Sequence, residues 1–209
     1  STRYKDRADS IAKVSDLLAV MAAAQPGHYL AFFPSYSYLQ QVWEDFAARY
    51  PDQPTLCQES AMDEGQRTEF LAQFLARDGK PLLGFAVLGG VFGEGVDLTR
   101  ESLIGVAVVS PGLPKIGPRQ EQLRDYFEET RGAGFDYAYR YPGMNKVLQA
   151  AGRVIRTPQD RGVVLLIDDR FLAPDTRRLM PPHWEHLRVV DSADAWKDEL
   201  AAFWKKHEP

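Results

Sequence analysis

Apolar positions along the chain follow two periods. Ile11, Val14, Leu17, Leu18 and Met21 recur three and four apart, the spacing of one helix face, and Pro26-Gly27 ends that helix. Residues 29–33 form a short apolar run that reads as a strand. Tyr38, Leu39, Val42, Trp43 and Phe46 mark the buried face of a helix over 37–50, and residues 55–57 read as another short strand. Phe70, Leu71, Phe74 and Leu75 mark a helix over 63–77 with Asp63 as its cap. Residues 82–88 and 103–109 are almost wholly apolar, as strands covered on both faces are. Leu123, Tyr126 and Phe127 predict a helix within the less regular stretch 112–142; residues 144–155 read as helix and 163–167 as a further buried strand. Asp191 or Ser192 caps a last helix, whose Trp196, Leu200, Phe203 and Trp204 fit one buried face better than a base-stacking surface. Strands alternating with helices predict an α/β fold with a mostly parallel sheet between helical layers.

Composition narrows the class. The chain has 209 residues, 44% of them hydrophobic, enough for one α/β domain with an extension. It starts at Ser1 rather than Met, which suggests a fragment of a larger protein. No uncharged apolar run reaches the length of a membrane span, and residues 1–25 lack a signal-peptide pattern. Cys57 is the only cysteine, which excludes an intrachain disulfide and any all-cysteine zinc or iron–sulfur site and fits a reducing cytoplasm. A net charge of −4 gives no bulk attraction for a polyanion, so nucleic acid would have to meet a local basic patch. Arg140, Lys146, Arg153, Arg156 and Arg161, against Asp160 alone, supply one such patch.

Two segments carry candidate chemistry. Gly89-Gly90-Val91-Phe92-Gly93-Glu94-Gly95-Val96-Asp97-Leu98 follows a buried strand directly. Its glycines permit tight turns and close approach of backbone to a ligand, and Glu94 and Asp97 can accept hydrogen bonds from ribose hydroxyls or hold an arginine. The glycine spacing differs from that of a dinucleotide loop, and Ser110 stands near where that loop's acidic residue belongs. A loop needing unusual backbone angles accounts for the segment equally well. The second segment is Gln149-Ala150-Ala151-Gly152-Arg153-Val154-Ile155-Arg156. On a helix Gln149, Arg153 and Arg156 share a face, and Gly152 clears space beside them. Guanidinium groups suit phosphate oxygens, although arginines near a helix C-terminus also simply favour the dipole.

Taken together, and in this order, the two segments resemble motifs V and VI of superfamily-two helicases. Phe32-Phe33-Pro34-Ser35-Tyr36 looks like the motif IV region of the DinG/XPD (Rad3-like) branch, and Gly-Val-Val-Leu-Leu-Ile-Asp-Asp-Arg-Phe over residues 162–171 is close to bacterial members. The likeness runs along about residues 25–172. It implies a RecA-like three-layer sandwich: one second motor domain over 1–209, with residues 173–209 as a C-terminal extension. It also implies roles. Gln149, Arg153 and Arg156 would face the phosphates of ATP, with Arg153 or Arg156 as the arginine finger. Gly90, Glu94, Gly95, Asp97 and Gly152 would belong to the nucleotide site, with Glu94 and Asp97 coupling it to the DNA track. Ser35, Tyr36 and Ser110 would touch single-stranded DNA. Leu98, where commoner versions of motif V end in an aromatic, is a departure.

No phosphate loop is present, since Gly79-Lys80 is followed by Pro81. The phosphate loop and the Mg²⁺ ligands would therefore come from a first RecA-like domain, as would any iron–sulfur cluster. The isolated chain is expected to be inactive as an ATPase. Asp168 and Asp169 read as strand-end structure pairing Arg170, and His183 and His186 as a packed turn rather than a metal site. Two rivals stay open: a Rossmann-like enzyme holding a nucleotide cofactor on the glycine loop, and a non-catalytic helicase-like interaction module.

Overall fold

The computed structural model describes residues 1–76, 81–90, 103–155 and 160–206. Among them, five parallel strands form one sheet in the order β2-β3-β1-β4-β5: β1 His28–Phe33, β2 Thr55–Cys57, β3 Leu82–Val87, β4 Leu103–Val109 and β5 Val163–Ile167. The main helices are α1 Arg7–Ala24, α2 Tyr36–Arg49, α3 Glu64–Leu75, α4 Pro118–Arg131, α5 Tyr141–Ala151, α6 Pro174–Arg177 and α7 Ala193–Lys206. This is the α/β arrangement with a parallel sheet that the strand and helix periods predict, and it fits the RecA-like sandwich that the resemblance implies.

Every residue of β1 is buried, which places it at the centre of the sheet with cover on both faces. Its side chains alternate between two cores. Tyr29, Ala31 and Phe33 pack with Val14, Leu18 and Met21 of α1, with Tyr38, Leu39, Val42 and Phe46 of α2, and with Trp196 and Leu200 of α7. Leu30 and Phe32 pack on the opposite face with Phe70 and Phe74 of α3 and Met144, Val147 and Ala150 of α5. Aromatic contacts tie the layers: Phe33 stacks on Phe85 at 5.8 Å, and Phe46 meets Phe85 edge-on at 5.5 Å. The apolar stripe of α7 is thus core, as its spacing indicates.

Local signals explain where the elements begin and end. Asp63 caps α3 and forms a reciprocal capping box with Gln66. Ser192 accepts from the Ala195 amide and so caps α7. Buried His28 donates from Nδ1 to the Phe74 carbonyl at 2.8 Å, joining the start of β1 to the end of α3. α5 starts earlier and stops earlier than its apolar pattern predicts. It ends at Ala151, and Arg153 and Val154 close tight turns onto the carbonyls of Ala150 and Ala151. Gly152 is a poor helix former and lies at this stop.

Chain direction positions the crevice. From β1 the chain moves through α2 to the far edge of the sheet and returns through α3 to β3, beside β1. β4 lies on the other side of β1, and β5 lies beyond it. The carboxyl ends of β1 and β4 therefore flank a topological switch point, where open α/β sheets bind ligands. Among the described residues no helix is long and apolar enough to cross a membrane.

Candidate functional site

The turns after the strands bring distant residues to one edge. Ser35 follows β1 and caps α2: its hydroxyl accepts from the Tyr38 amide and from Nη1 of Arg7, both at 3.4 Å. Tyr36 opens α2 with its ring partly exposed, and its hydroxyl accepts from Nε2 of Gln58 at 3.1 Å. Gln58 is buried beyond β2, and its Oε1 accepts from the Val87 amide at 2.7 Å. A glutamine thus finishes the hydrogen bonding of β3 and steadies Tyr36. Nothing in the local pattern of the sequence marks it.

Gly89 and Gly90 turn the chain out of β3. Gly89 has φ 73°, a left-handed conformation that favours glycine, and a β-carbon there would lie 2.9 Å from the aliphatic stem of Lys146. Lys146 belongs to α5, so the glycine turn and the helix that carries Gln149 are in contact. Glu94, Gly95, Asp97 and Arg156 lie outside the described residues.

Gln149 is exposed on α5, Gly152 lies at its C-terminal stop and Arg153 is half-buried in the turn beyond. The single helical face proposed for Gln149, Arg153 and Arg156 is therefore corrected: the regular helix ends before Arg153 is reached. Gly152 has φ −64°, and a β-carbon there would meet the Leu148 carbonyl at 3.2 Å.

Ser110 follows β4. It is buried and, among the described residues, is the one non-glycine with positive φ, at 81°. Its amide donates to the Ile167 carbonyl, and its hydroxyl accepts from Nη2 of Arg170 at 3.1 Å. Arg170 in turn is gripped by Asp168, whose Oδ1 takes the Arg170 amide at 2.8 Å and Nε at 2.6 Å while Oδ2 takes Nη2 at 3.0 Å. Oδ2 also receives the amide of Thr2 at 2.7 Å and its hydroxyl. The Asp168 side chain is fully buried. Burial alone would raise its carboxyl, yet the bonds from Arg170 and Thr2 outweigh that and hold it well below the usual carboxylate range. The expected Asp168–Arg170 pair forms; Asp169 pairs instead with Arg3, at 2.6 Å.

The predicted residues thus fall into two groups. Ser35 and Ser110 flank the switch point, each tied to an arginine, with Tyr36 beside them. Gln149, Gly152 and Arg153 lie at the end of α5, while Gly90 lies in the turn after β3, next to Gly89, which Lys146 of α5 approaches. Arg7, Gln58 and Asp168 complete these contacts. Among the described residues no three His, Cys, Asp or Glu side chains gather as a metal site.

This sheet and its crevice define a RecA-like motor-domain fold. A family model described as helicase C-terminal domain matches residues 18–187, and the chain belongs to that family, in its XPD/DinG branch. The chain is 30% identical over 223 aligned positions to regulator of telomere elongation helicase 1 of Bos taurus, covering 97% of this chain and 18% of that protein. It is 30% identical over 217 positions to the Homo sapiens protein of the same name, covering 94% and 18%. ATP-dependent DNA helicase chl-1 of Caenorhabditis elegans is 30% identical over 161 positions, covering 73% and 19%. The chain therefore spans less than a fifth of the length of these relatives. Among solved structures an XPD helicase superposes with a TM-score of 0.67 at 20% identity, covering 85% of this chain and 31% of that one. The structure of S. tokodaii Xpd4 gives a TM-score of 0.59 at 17% identity, covering 88% and 35%. These two likenesses carry the fold.

Proposed function

We propose that this chain is the second motor domain of an ATP-dependent DNA helicase that moves on single-stranded DNA. The observation that carries the reading is the family match over residues 18–187, which spans every segment with candidate chemistry. In this reading ATP lies between this domain and a first RecA-like domain, which brings the phosphate loop and the Mg²⁺ ligands. Gln149, Arg153 and Arg156 approach the phosphates from this side, with Gly90, Glu94, Gly95, Asp97 and Gly152 shaping the nucleotide site. An exposed Gln149 at the end of α5, with Arg153 in the turn beyond, fits a phosphate group, because a partner domain can close over that helix end. Ser35, Tyr36 and Ser110 form part of the strand's track. ATP supplies the free energy; these residues place charge where the phosphoryl group transfers and tie that placement to the grip on DNA.

The test uses the full-length protein. Arg153→Ala and Arg156→Ala should each lower DNA-stimulated ATP hydrolysis by at least about a hundredfold, the scale of removing one preorganised donor. Melting temperature should stay near that of the parent. Near-normal turnover in both variants, or turnover lost only in step with unfolding, would overturn the assignment. Tight, DNA-independent binding of NAD by the chain would favour a cofactor enzyme instead.

A further inference from the structure

Two arginines from opposite ends of the chain reach the switch point, Arg7 at Ser35 after β1 and Arg170 at Ser110 after the neighbouring β4. We infer that Arg7 and Arg170, with the Ser35 and Ser110 hydroxyls they hold, bind one backbone phosphate of single-stranded DNA. The inference rests on the DNA-track reading above and adds to it the charged groups that would do the holding.

Arg7 is the first residue of α1 and is half-buried, with its guanidinium carbon 5.0 Å from the centre of the Tyr38 ring and 5.5 Å from that of Tyr4. One of its terminal nitrogens reaches Ser35. Its Nε is buried and, among the described residues, finds no hydrogen-bond partner. Nor does Arg7 form an ion pair among them. Burial lowers its pKa; the Tyr38 side chain opposes that shift, and the charge of Arg170 adds to it. β1 and β4 are neighbouring strands, so an anion at their carboxyl ends would lie beside both cations and offset their mutual repulsion.

Arg170 is built for such a task. Asp168 occupies its Nε and Nη2 edges and Ser110 shares Nη2, so the guanidinium plane is fixed while Nη1 makes no hydrogen bond among the described residues. Ser110 adopts φ 81°, an uncommon conformation for a residue with a side chain and one that clusters at functional sites. That conformation accompanies a hydroxyl seated on Arg170. Planar, permanently charged groups suit phosphate oxygens, and contacts of this kind set the register of a strand without reading its sequence.

Salt-dependent binding of a fluorescent oligothymidylate decides the matter. Arg7→Gln is the leading variant, because Arg7 has no ion pair to break among the described residues. Its log-affinity against log-salt slope, between about 50 and about 200 mM, should be shallower than the parent's by roughly 0.7, the share of one single-strand phosphate contact. Low-salt affinity should fall roughly tenfold, and equally for other base compositions. Arg7→Lys should keep the slope. Arg170→Gln should flatten the slope as well, but with a lower melting temperature, since Asp168 loses its partner. An unchanged slope in Arg7→Gln with a native melting temperature overturns the inference and leaves the DNA-track reading standing. Weaker binding of ATP with unchanged oligonucleotide binding also overturns it, by assigning the crevice to the nucleotide. If the parent chain binds no oligonucleotide at all, the DNA-track reading fails and this inference with it.

Discussion

Nη2 of Arg170 donates to Oγ of Ser110 at 3.1 Å across 60 residues of sequence, and the same nitrogen donates to Asp168 at 3.0 Å. One guanidinium thereby ties the end of β4 to the end of β5. The carboxylate behind it is buried, so the lock depends on its charge. Asp168→Asn should destabilise the chain by about 3 kcal/mol at neutral pH, the cost of breaking a buried pair from one side. The sign with pH follows from the depressed carboxyl. Its stabilisation is complete above the unfolded-state value of about 3.9 and disappears as pH falls through the folded value. Denaturant unfolding of both proteins should show their stabilities far apart at pH 7 and drawing together below about pH 3. A gap that stays constant with pH would show that the charge is not what matters.

Gln58→Leu should cost about 1–3 kcal/mol, because the partly buried amide of Val87 loses its acceptor. For a chain of this size that corresponds to a fall in melting temperature of roughly 2–12 °C. A stability equal to the parent's would mean that the strand end finds another acceptor.

Gly143→Ala tests a close backbone approach. A β-carbon at Gly143 would lie 2.6 Å from the carbonyl oxygen of Pro111, which is backbone and cannot swing aside. The expected loss is about 1–3 kcal/mol, as for other overpacked sites, with chemical-shift changes centred on the turn that holds Ser110. Changes confined to α5 would contradict this.

Cys57 should resist thiol reagents. Burial, with Glu59 and Glu44 adding to it, pushes its thiol up to about 12, so little thiolate exists at pH 8. Labelling in the folded chain should run at least about a hundredfold slower than in denaturant. Comparable rates would show the thiol to be open to water.

A purified sample of this chain should hydrolyse no ATP above background, since it contains no phosphate loop. Turnover abolished by Arg153→Ala in the isolated chain would contradict the division of labour between two motor halves.

The strands and most helices were legible because each buried element carries its period in its own residues: β1 as an unbroken apolar run, α2 as a stripe from Tyr38 to Phe46. The Asp168–Arg170 pair was legible too, being two residues apart. The rest depends on contacts that no window of sequence contains. Thr2 lies 166 residues from Asp168. Arg7 looks like any charged residue at a helix start, and Gln58 like any polar residue after a short strand. The end of α5 was misplaced because Val154 continues the apolar spacing even though the chain has already turned at Gly152.

The two sides of the crevice differ in stiffness. On the β4–β5 side, short charged hydrogen bonds with fixed directions join Asp168, Arg170 and Ser110. On the β3 side, the glycine turn meets α5 through the aliphatic stem of Lys146, a side chain with several rotatable bonds. A rigid coupling and a compliant one therefore sit on a single rim. A displacement of β5 should therefore pass to β4 more directly than one of α5 passes to the glycine turn. Amide hydrogen exchange should report the difference as strong protection at Arg170 and weak protection at Gly90, whose amide closes only a turn at 3.2 Å. The rim is thus fastened by directed bonds along its β4–β5 edge and only by a flexible stem, from the middle of α5, along its β3 edge.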